Sequence, residues 1–259
     1  MITAGQLLAY SRTTGLKPYQ QEKNYIQTII LRSIYSTARS KIVFRGGTGL
    51  MFALGLRRFS DDLDFTAGKQ VAVEPLAEEA VTDLNNLGIP SSYSKSKGKF
   101  SENTFKIRSE GPLYKNASSV VVVRLDVSRR EEVLMPPDAR NLDSIYVDIP
   151  AFSYLMMQPG EILSEKVRAI LTRRQARDLY DVNFLVGHGY STSREMIDSK
   201  LKYYGKTFDP ELFRNRLFDI SPLWKNEMEP IVIGTLPDID TVIEAILKAA
   251  DAWHQADIA

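Results

Sequence analysis

Residues 41–66 confine this chain to few folds. A short apolar run, Lys41-Ile42-Val43-Phe44, meets the double glycine Gly46-Gly47, and a second run opens on Asp62-Leu63-Asp64. If both runs are strands, alternation puts Asp62 and Asp64 on one face and Leu63 on the other. A glycine turn feeding a helix offers free N–H groups, and the missing Cβ lets a phosphate approach the backbone. Two carboxylates side by side repel unless a cation lies between them. A pair of Mg²⁺ ions (Mn²⁺ is the other choice) would relieve that repulsion, activate a hydroxyl and clamp a triphosphate. The stretch therefore points to metal-assisted chemistry on a phosphorylated substrate. A third carboxylate normally completes such a cage. Asp126, at the end of the β-branched run Ser119-Val120-Val121-Val122-Val123-Arg124-Leu125-Asp126-Val127, is the candidate, while Asp61 is expected to point away.

Composition narrows the chemistry by exclusion. The chain has 259 residues, enough for one large domain or two small ones, and no cysteine. Disulfides, thiol nucleophiles and thiolate metal sites are thereby out, and a reducing, cytoplasmic setting fits. His188 and His254 alone do not make a histidine-rich zinc site. No apolar run approaches the ~20 residues that span a bilayer, and the first residues do not read as a secretory leader, so no membrane partner is expected. A net charge of +1 makes no global case for nucleic acid, so any such case rests on local patches.

The chain reads as α+β. Helical spacing runs over 6–10 and 19–37, with Tyr25, Ile29, Ile30, Leu31 and Ile34 as the apolar face. A strand at 41–45, a short apolar helix at 50–54 ending on Gly55, and the acidic strand at 62–66 follow. Next come an amphipathic helix at 75–87 and antiparallel strands around 91–96, 104–108 and 119–127, with a turn at Lys97-Gly98. Nine basic residues face three acidic ones between Ser91 and Arg130. Lys95, Lys97, Lys99, Lys106 and Arg108 gather around one hairpin, with Tyr93, Phe100 and Phe105 interleaved. Two readings stand: lysines guarding an edge strand, or a surface for an RNA backbone. Met135-Pro136-Pro137 breaks the pattern, a short final strand is expected at 145–149, and Pro150 marks the expected boundary. Residues 1–150 would form the catalytic core, and residues 151–259 a helical domain with helices at 161–186, 193–204, 210–218 and 240–254.

Known motifs discriminate further. Gly46-Gly47-Thr48-Gly49 lacks the lysine and spacing of a P-loop and does not complete a dinucleotide fingerprint. Asp62-Leu63-Asp64-Phe65-Thr66 matches the D-x-D-x-T of haloacid-dehalogenase-like phosphatases, but there the first aspartate follows an apolar strand. Here it follows Arg57-Arg58-Phe59-Ser60-Asp61. On one continuous helix Lys166, Arg173 and Arg177 would fall close together with Asp181 nearby, and Asp178 further round would brace an arginine. That face would be a cationic rail for a triphosphate, with Lys166 neutralising the leaving pyrophosphate.

Taken in order, these landmarks resemble the AbiEii/AbiGii-type nucleotidyltransferase toxins of type IV toxin–antitoxin and abortive-infection systems. They are Glu22-Lys23-Asn24-Tyr25, Gly46-Gly47-Thr48, Ser60 through Phe65, and Lys166, Arg173, Arg177, Asp178 and Asp181. Asn24 stands where the family usually has an acid, and Gly49 where alanine is common. The resemblance implies a DNA-polymerase-β-like core with a mixed sheet, followed by a helical C-terminal half. It implies Mg²⁺-dependent transfer of a nucleoside monophosphate from an NTP, for some members to the 3′ end of tRNA, which blocks aminoacylation and translation. It also implies a cognate antitoxin, often a winged-helix repressor. In this scheme Asp62 and Asp64, with Asp126, hold metal, and Gly46, Gly47, Thr48 and Ser60 cradle the triphosphate. Lys166, Arg173 and Arg177 meet its charge, oriented by Asp181 or Asp178. A weakly catalytic module that binds RNA or an antitoxin is the competing expectation. Which NTP and which acceptor, whether tRNA, another RNA or a protein, stay open.

Overall fold

The computed structural model describes residues 1–96 and 103–253. The predicted Lys97-Gly98 turn, Lys99, Phe100 and His254 lie outside the described residues. The fold is α+β around a mixed sheet, as expected. By internal packing the chain forms two units, 1–55 with 59–129 and 137–156, and 56–58 with 130–136 and 157–259.

The first unit opens with helices α1 (Ala4–Thr14) and α2 (Pro18–Ala38). Strand β1 (Ile42–Arg45) runs directly into α3 (Gly46–Leu54), and β2 (Leu63–Ala67) carries the acidic residues. Helix α4 (Glu74–Asn86) then leads to β3 (Ser91–Lys95), β4 (Thr104–Ser109), β5 (Val121–Ser128), β6 (Asp138–Leu142) and β7 (Phe152–Met156). The seven strands are ordered β3-β4-β5-β2-β1-β7-β6. β2 pairs antiparallel with β1 but parallel with β5, so the sheet is mixed.

Helix α2 explains why one face of this sheet is dry. Tyr25, Ile29, Ile30, Leu31 and Ile34 recur at helical spacing and are all buried. With α4 they cover the face carrying Leu63, Phe65, Phe105, Ile107, Val123 and Leu125. The β1–β7 junction shares only the pair Phe44–Met156. There the Tyr35 hydroxyl donates to the Leu155 carbonyl at 2.7 Å and accepts from the Phe44 N–H at 3.0 Å. A side chain thus supplies hydrogen bonds the short ladder does not.

Residues 145–149 form no strand. Their apolar alternation is spent differently: Tyr146 is buried, while Ile145 and Val147 are exposed and Ile149 N–H closes a turn on the Tyr146 carbonyl. The last two strands are β6 and β7 instead.

The second unit is helical, with α5 (Pro159–Thr172), α6 (Ala176–Gly187), α7 (Arg194–Lys202), α8 (Pro210–Ile220), α9 (Trp224–Met228) and α10 (Ile239–Trp253). The continuous helix expected over 161–186 is broken. Arg173 leaves the helical conformation, at φ −144° and ψ 172°, and α6 restarts after Gln175. Gln175 gives no side-chain cap, and Glu227 replaces it by accepting from the Ala176 N–H at 2.7 Å. Among the described residues no helix is long and apolar enough to cross a membrane.

Candidate active site

In the first unit, three side chains fix the approach to the acidic strand. Gln27 of α2 donates through Nε2 to the Ser60 carbonyl at 3.0 Å and the Asp61 carbonyl at 2.9 Å. Lys23 pairs with Asp61 at 2.9 Å. Thr48, fully buried in the first turn of α3, donates its hydroxyl to the Asp62 carbonyl. The remaining residues of the 22–25 landmark are staples as well. The Glu22 carboxylate accepts from Leu113 N–H at 2.5 Å, Asn24 accepts from the Tyr146 hydroxyl at 2.7 Å, and the Tyr25 hydroxyl donates to Asp148 at 2.6 Å.

The double glycine is not a loop ahead of a helix but the helix's own first turn. Gly46 has φ +73°, a conformation L side chains avoid. A Cβ built there would stand 2.6 Å from Oδ2 of Asp64. The N-terminal N–H groups of α3 therefore open beside a strand whose carboxylate leaves no room for a side chain.

Register completes the arrangement. Asp64 lies opposite Arg45 on one side and Asp126 on the other, and Asp126 lies opposite Thr104. Asp126 Oδ1 accepts from the Thr104 hydroxyl at 2.8 Å, and Oδ2 faces Arg124 at 3.2 Å. Asp62 precedes β2 by one residue and is half-buried, as is Asp64. Burial, then the charge of Asp64, pushes the Asp62 carboxyl above its ordinary range despite Arg124 and Lys23.

Among the described residues no three of His, Asp and Glu are gathered as a cage for a metal. What is present is a pair of half-buried carboxylates, flanked by a third whose oxygens take Thr104 and Arg124. Hard oxygen donors, and the push of the Asp64 charge on Asp62, fit a hard divalent cation.

The second unit brings Lys166, Asp178, Asp181 and Arg173 together and adds a residue the sequence did not single out. Arg58 donates Nε and Nη2 to the two oxygens of Asp181 at 2.6 and 2.7 Å, with both side chains buried. Lys166 Nζ lies 2.6 Å from Asp181 and 3.3 Å from Asp178. Arg173 forks onto Asp178 at 2.7 and 2.8 Å. The result is an alternating row, Arg58–Asp181–Lys166–Asp178–Arg173, with one cation in excess. Burial raises the proton affinity of both aspartates, but the cations outweigh it and hold both carboxyls down, Asp178 at about 2. The break at Arg173–Gln175 makes this possible, because it lets α6 turn Asp178 and Asp181 towards Lys166 of α5. The single helix expected to carry them does not form, yet the charges of Lys166, Arg173 and Arg177 all act on Asp178. Arg173 is turned outward at 44% exposure, and Arg177 donates to Gln175 at 2.9 Å.

The family model of the nucleotidyl transferase AbiEii toxin of type IV toxin–antitoxin systems matches residues 29–249. This chain belongs to the AbiEii family. Its fold is also that of solved nucleotidyltransferase structures. The nucleotidyltransferase toxin MenT4 of Mycobacterium tuberculosis is similar at a TM-score of 0.60 and 14% identity, over 96% of this chain and 88% of that one. A candidate nucleotidyltransferase from Helicobacter pylori is similar at 0.57 and 20% identity, over 90% and 94%. No curated protein sequence matches. As an AbiEii protein the chain is a nucleotidyltransferase of a toxin–antitoxin system, which implies an antitoxin partner. Membership also removes the phosphatase alternative.

In this AbiEii chain Arg45, Arg58, Gln27 and Thr104 stand beside the candidate residues, and the sequence did not single them out. Arg58 had a faint signal, a charged residue beside the apolar Phe59, but its partner is 123 positions away.

Proposed function

We propose that the carboxylate face of the first unit transfers a nucleoside monophosphate from an NTP to a hydroxyl acceptor. The observation that supports this best is the contact of Gly46 with Asp64, which sets helix N–H groups beside a carboxylate pair. Gly46 and Gly47 would accept the triphosphate on their N–H groups, with the hydroxyl of Ser60 beside it, while Thr48 holds the turn on the acidic strand. Asp62 and Asp64, with Asp126, would hold Mg²⁺, or Mn²⁺ in its place. When bound, the ion supplies charge neutralisation for the triphosphate and lowers the pKa of the attacking hydroxyl. The acceptor oxygen forms a bond to the α-phosphorus as the bond to the β-phosphate oxygen breaks. Its proton passes to a carboxylate of the pair, and pyrophosphate leaves.

Lys166, Arg173 and Arg177 are assigned the charge of the triphosphate on the resemblance, residue for residue. Asp181 would orient Lys166, and Asp178 both Lys166 and Arg173. Residues 151–259 would on this reading supply the Lys166 helix to the reaction. The acceptor is the 3′ end of tRNA, also on the resemblance, so that aminoacylation and translation stop. The antitoxin is a winged-helix repressor, and the setting is cytoplasmic.

Incubation with labelled NTPs, Mg²⁺ and total tRNA tests this. Label should pass to tRNA 3′ ends and vanish in Asp64→Ala. Transfer that persists in Asp64→Ala would overturn the site. Absence of transfer to any RNA or protein, with NTP still bound, would favour a binding module.

A further inference from the structure

The face of the sheet opposite α2 and α4 carries a second charged feature beside the carboxylates. On β4, Lys106 and Arg108 alternate with the buried Phe105 and Ile107, and both are exposed. Thr104, on their face, bonds to Asp126, so Lys106 and Arg108 share the carboxylate face. Lys106 lies opposite Arg124 of β5, and Arg108 opposite Val122. Lys95 is different: it pairs with Phe105 and sits over that ring at 5.9 Å, on the other face.

Two facts separate this stripe from ordinary edge protection. The edge strand is β3, and its residues beside the stripe are Ser92 and Ser94. Lys106, Arg108 and Arg124 are on interior strands, where no edge needs guarding. Like charges directly opposite across a strand pair are destabilising, and Lys106 faces Arg124 in that way. Asp126 already meets Arg124 at 3.2 Å, and an anion lying along the stripe would add a counter-charge for Lys106 and Arg108.

Sheet order says where that anion would lie. In the order β4-β5-β2-β1, Asp64 lies between the basic residues on one side and the glycine turn that ends β1 on the other. The glycine side is the place for the nucleotide's phosphates. The basic side extends two strand spacings, about 10 Å, away from β2. That is a path for a chain of phosphates arriving at the carboxylates from the opposite direction.

We infer that Lys106 and Arg108, with Arg124 at the head, form a track for the phosphate backbone of a single-stranded 3′ end, which brings its terminal hydroxyl to the Asp62–Asp64 pair. The inference rests on the transferase reading for the role of that hydroxyl. The track itself is tested by binding alone. Anisotropy of a labelled single-stranded RNA of about a dozen nucleotides is titrated over a salt series, without turnover. For Lys106→Gln/Arg108→Gln, loss of two phosphate contacts should lower the slope of log K against log salt by about 1.4. Affinity at low salt should fall, NTP-analogue affinity should hold, and the melting temperature should not drop. Lys106→Arg/Arg108→Lys should behave as wild type. An unchanged salt slope in the glutamine variant overturns the track. So does loss of NTP-analogue affinity with RNA binding intact, which would give the stripe to the nucleotide. A wild type that binds RNA through these residues yet transfers nothing to it would retain the track and refute the proposed transfer to an RNA end at the Asp62–Asp64 pair.

Discussion

Gly46 and Asp64 share a space that holds only one side chain: a Cβ on Gly46 would come within 2.6 Å of Oδ2. The double glycine is thus required twice, by φ and by the neighbouring carboxylate. Gly46→Ala should destabilise by roughly 1–2 kcal/mol from backbone conformation alone. It should also displace Asp64 and abolish transfer in a protein that still folds. Thermal melting and label transfer are the two readings. A Gly46→Ala protein as active as wild type would mean that this contact does not position the carboxylate.

Asp64→Asn should separate activity from stability. Asp62 is pushed up by burial and then by Asp64, so the pair is repulsive in the absence of a cation. Removing one charge relieves it. The variant should lose transfer yet melt no lower than wild type in chelator. Added Mg²⁺ should raise the melting temperature of wild type only. A clear drop in melting temperature in chelator would show that Asp64 serves the fold rather than the reaction.

Local pattern carried the fold's parts, and distant partners decided the rest. The apolar spacing of α2 and the β-branched run of β5 are written in neighbouring residues, so both elements could be read. The acidic strand was legible for the same reason: alternation alone puts Asp62 and Asp64 together. The break between α5 and α6 was not, because Arg173, Arg174 and Gln175 are compatible with a helix. The restart of the helix has a distant partner: Glu227 caps Ala176 from 51 positions away, while Arg173 at the break pairs with Asp178 five residues on. Lys95 and Lys106 likewise looked alike along the chain, and only the pairing register places them on opposite faces.

Acid should loosen the second unit through Asp178 and Asp181. Burial alone would raise the Asp178 carboxyl, but Lys166 and Arg173 outweigh it and hold it at about 2, against an ordinary 3.8. A folded value below the unfolded one favours the native state in full above about pH 4, and that support is lost as pH falls towards about 2. For Asp178 the loss is roughly 2 kcal/mol. Asp181 shifts in the same direction and adds to it. Urea unfolding of wild type and Asp178→Asn at several pH values between about 5 and 2 should show a shallower decline in the variant. Equal declines would place the acid-sensitive charge elsewhere.

Arg58 gives the sharpest test of the buried row. Its guanidinium meets both oxygens of Asp181, and its proton is held more tightly than usual because Asp181 outweighs the burial that opposes the charge. Arg58→Met keeps bulk but removes the fork, leaving Asp181 to Lys166 alone. Breaking a buried pair by deleting one partner costs about 3–5 kcal/mol, because the other charge stays desolvated. Arg58→Lys returns the charge without the two-pronged geometry, so it should recover only part of that loss. Chemical denaturation of the three proteins decides the matter. A loss under about 1 kcal/mol in Arg58→Met would mean that Lys166 satisfies Asp181 by itself, as an ion pair with water access rather than a buried row.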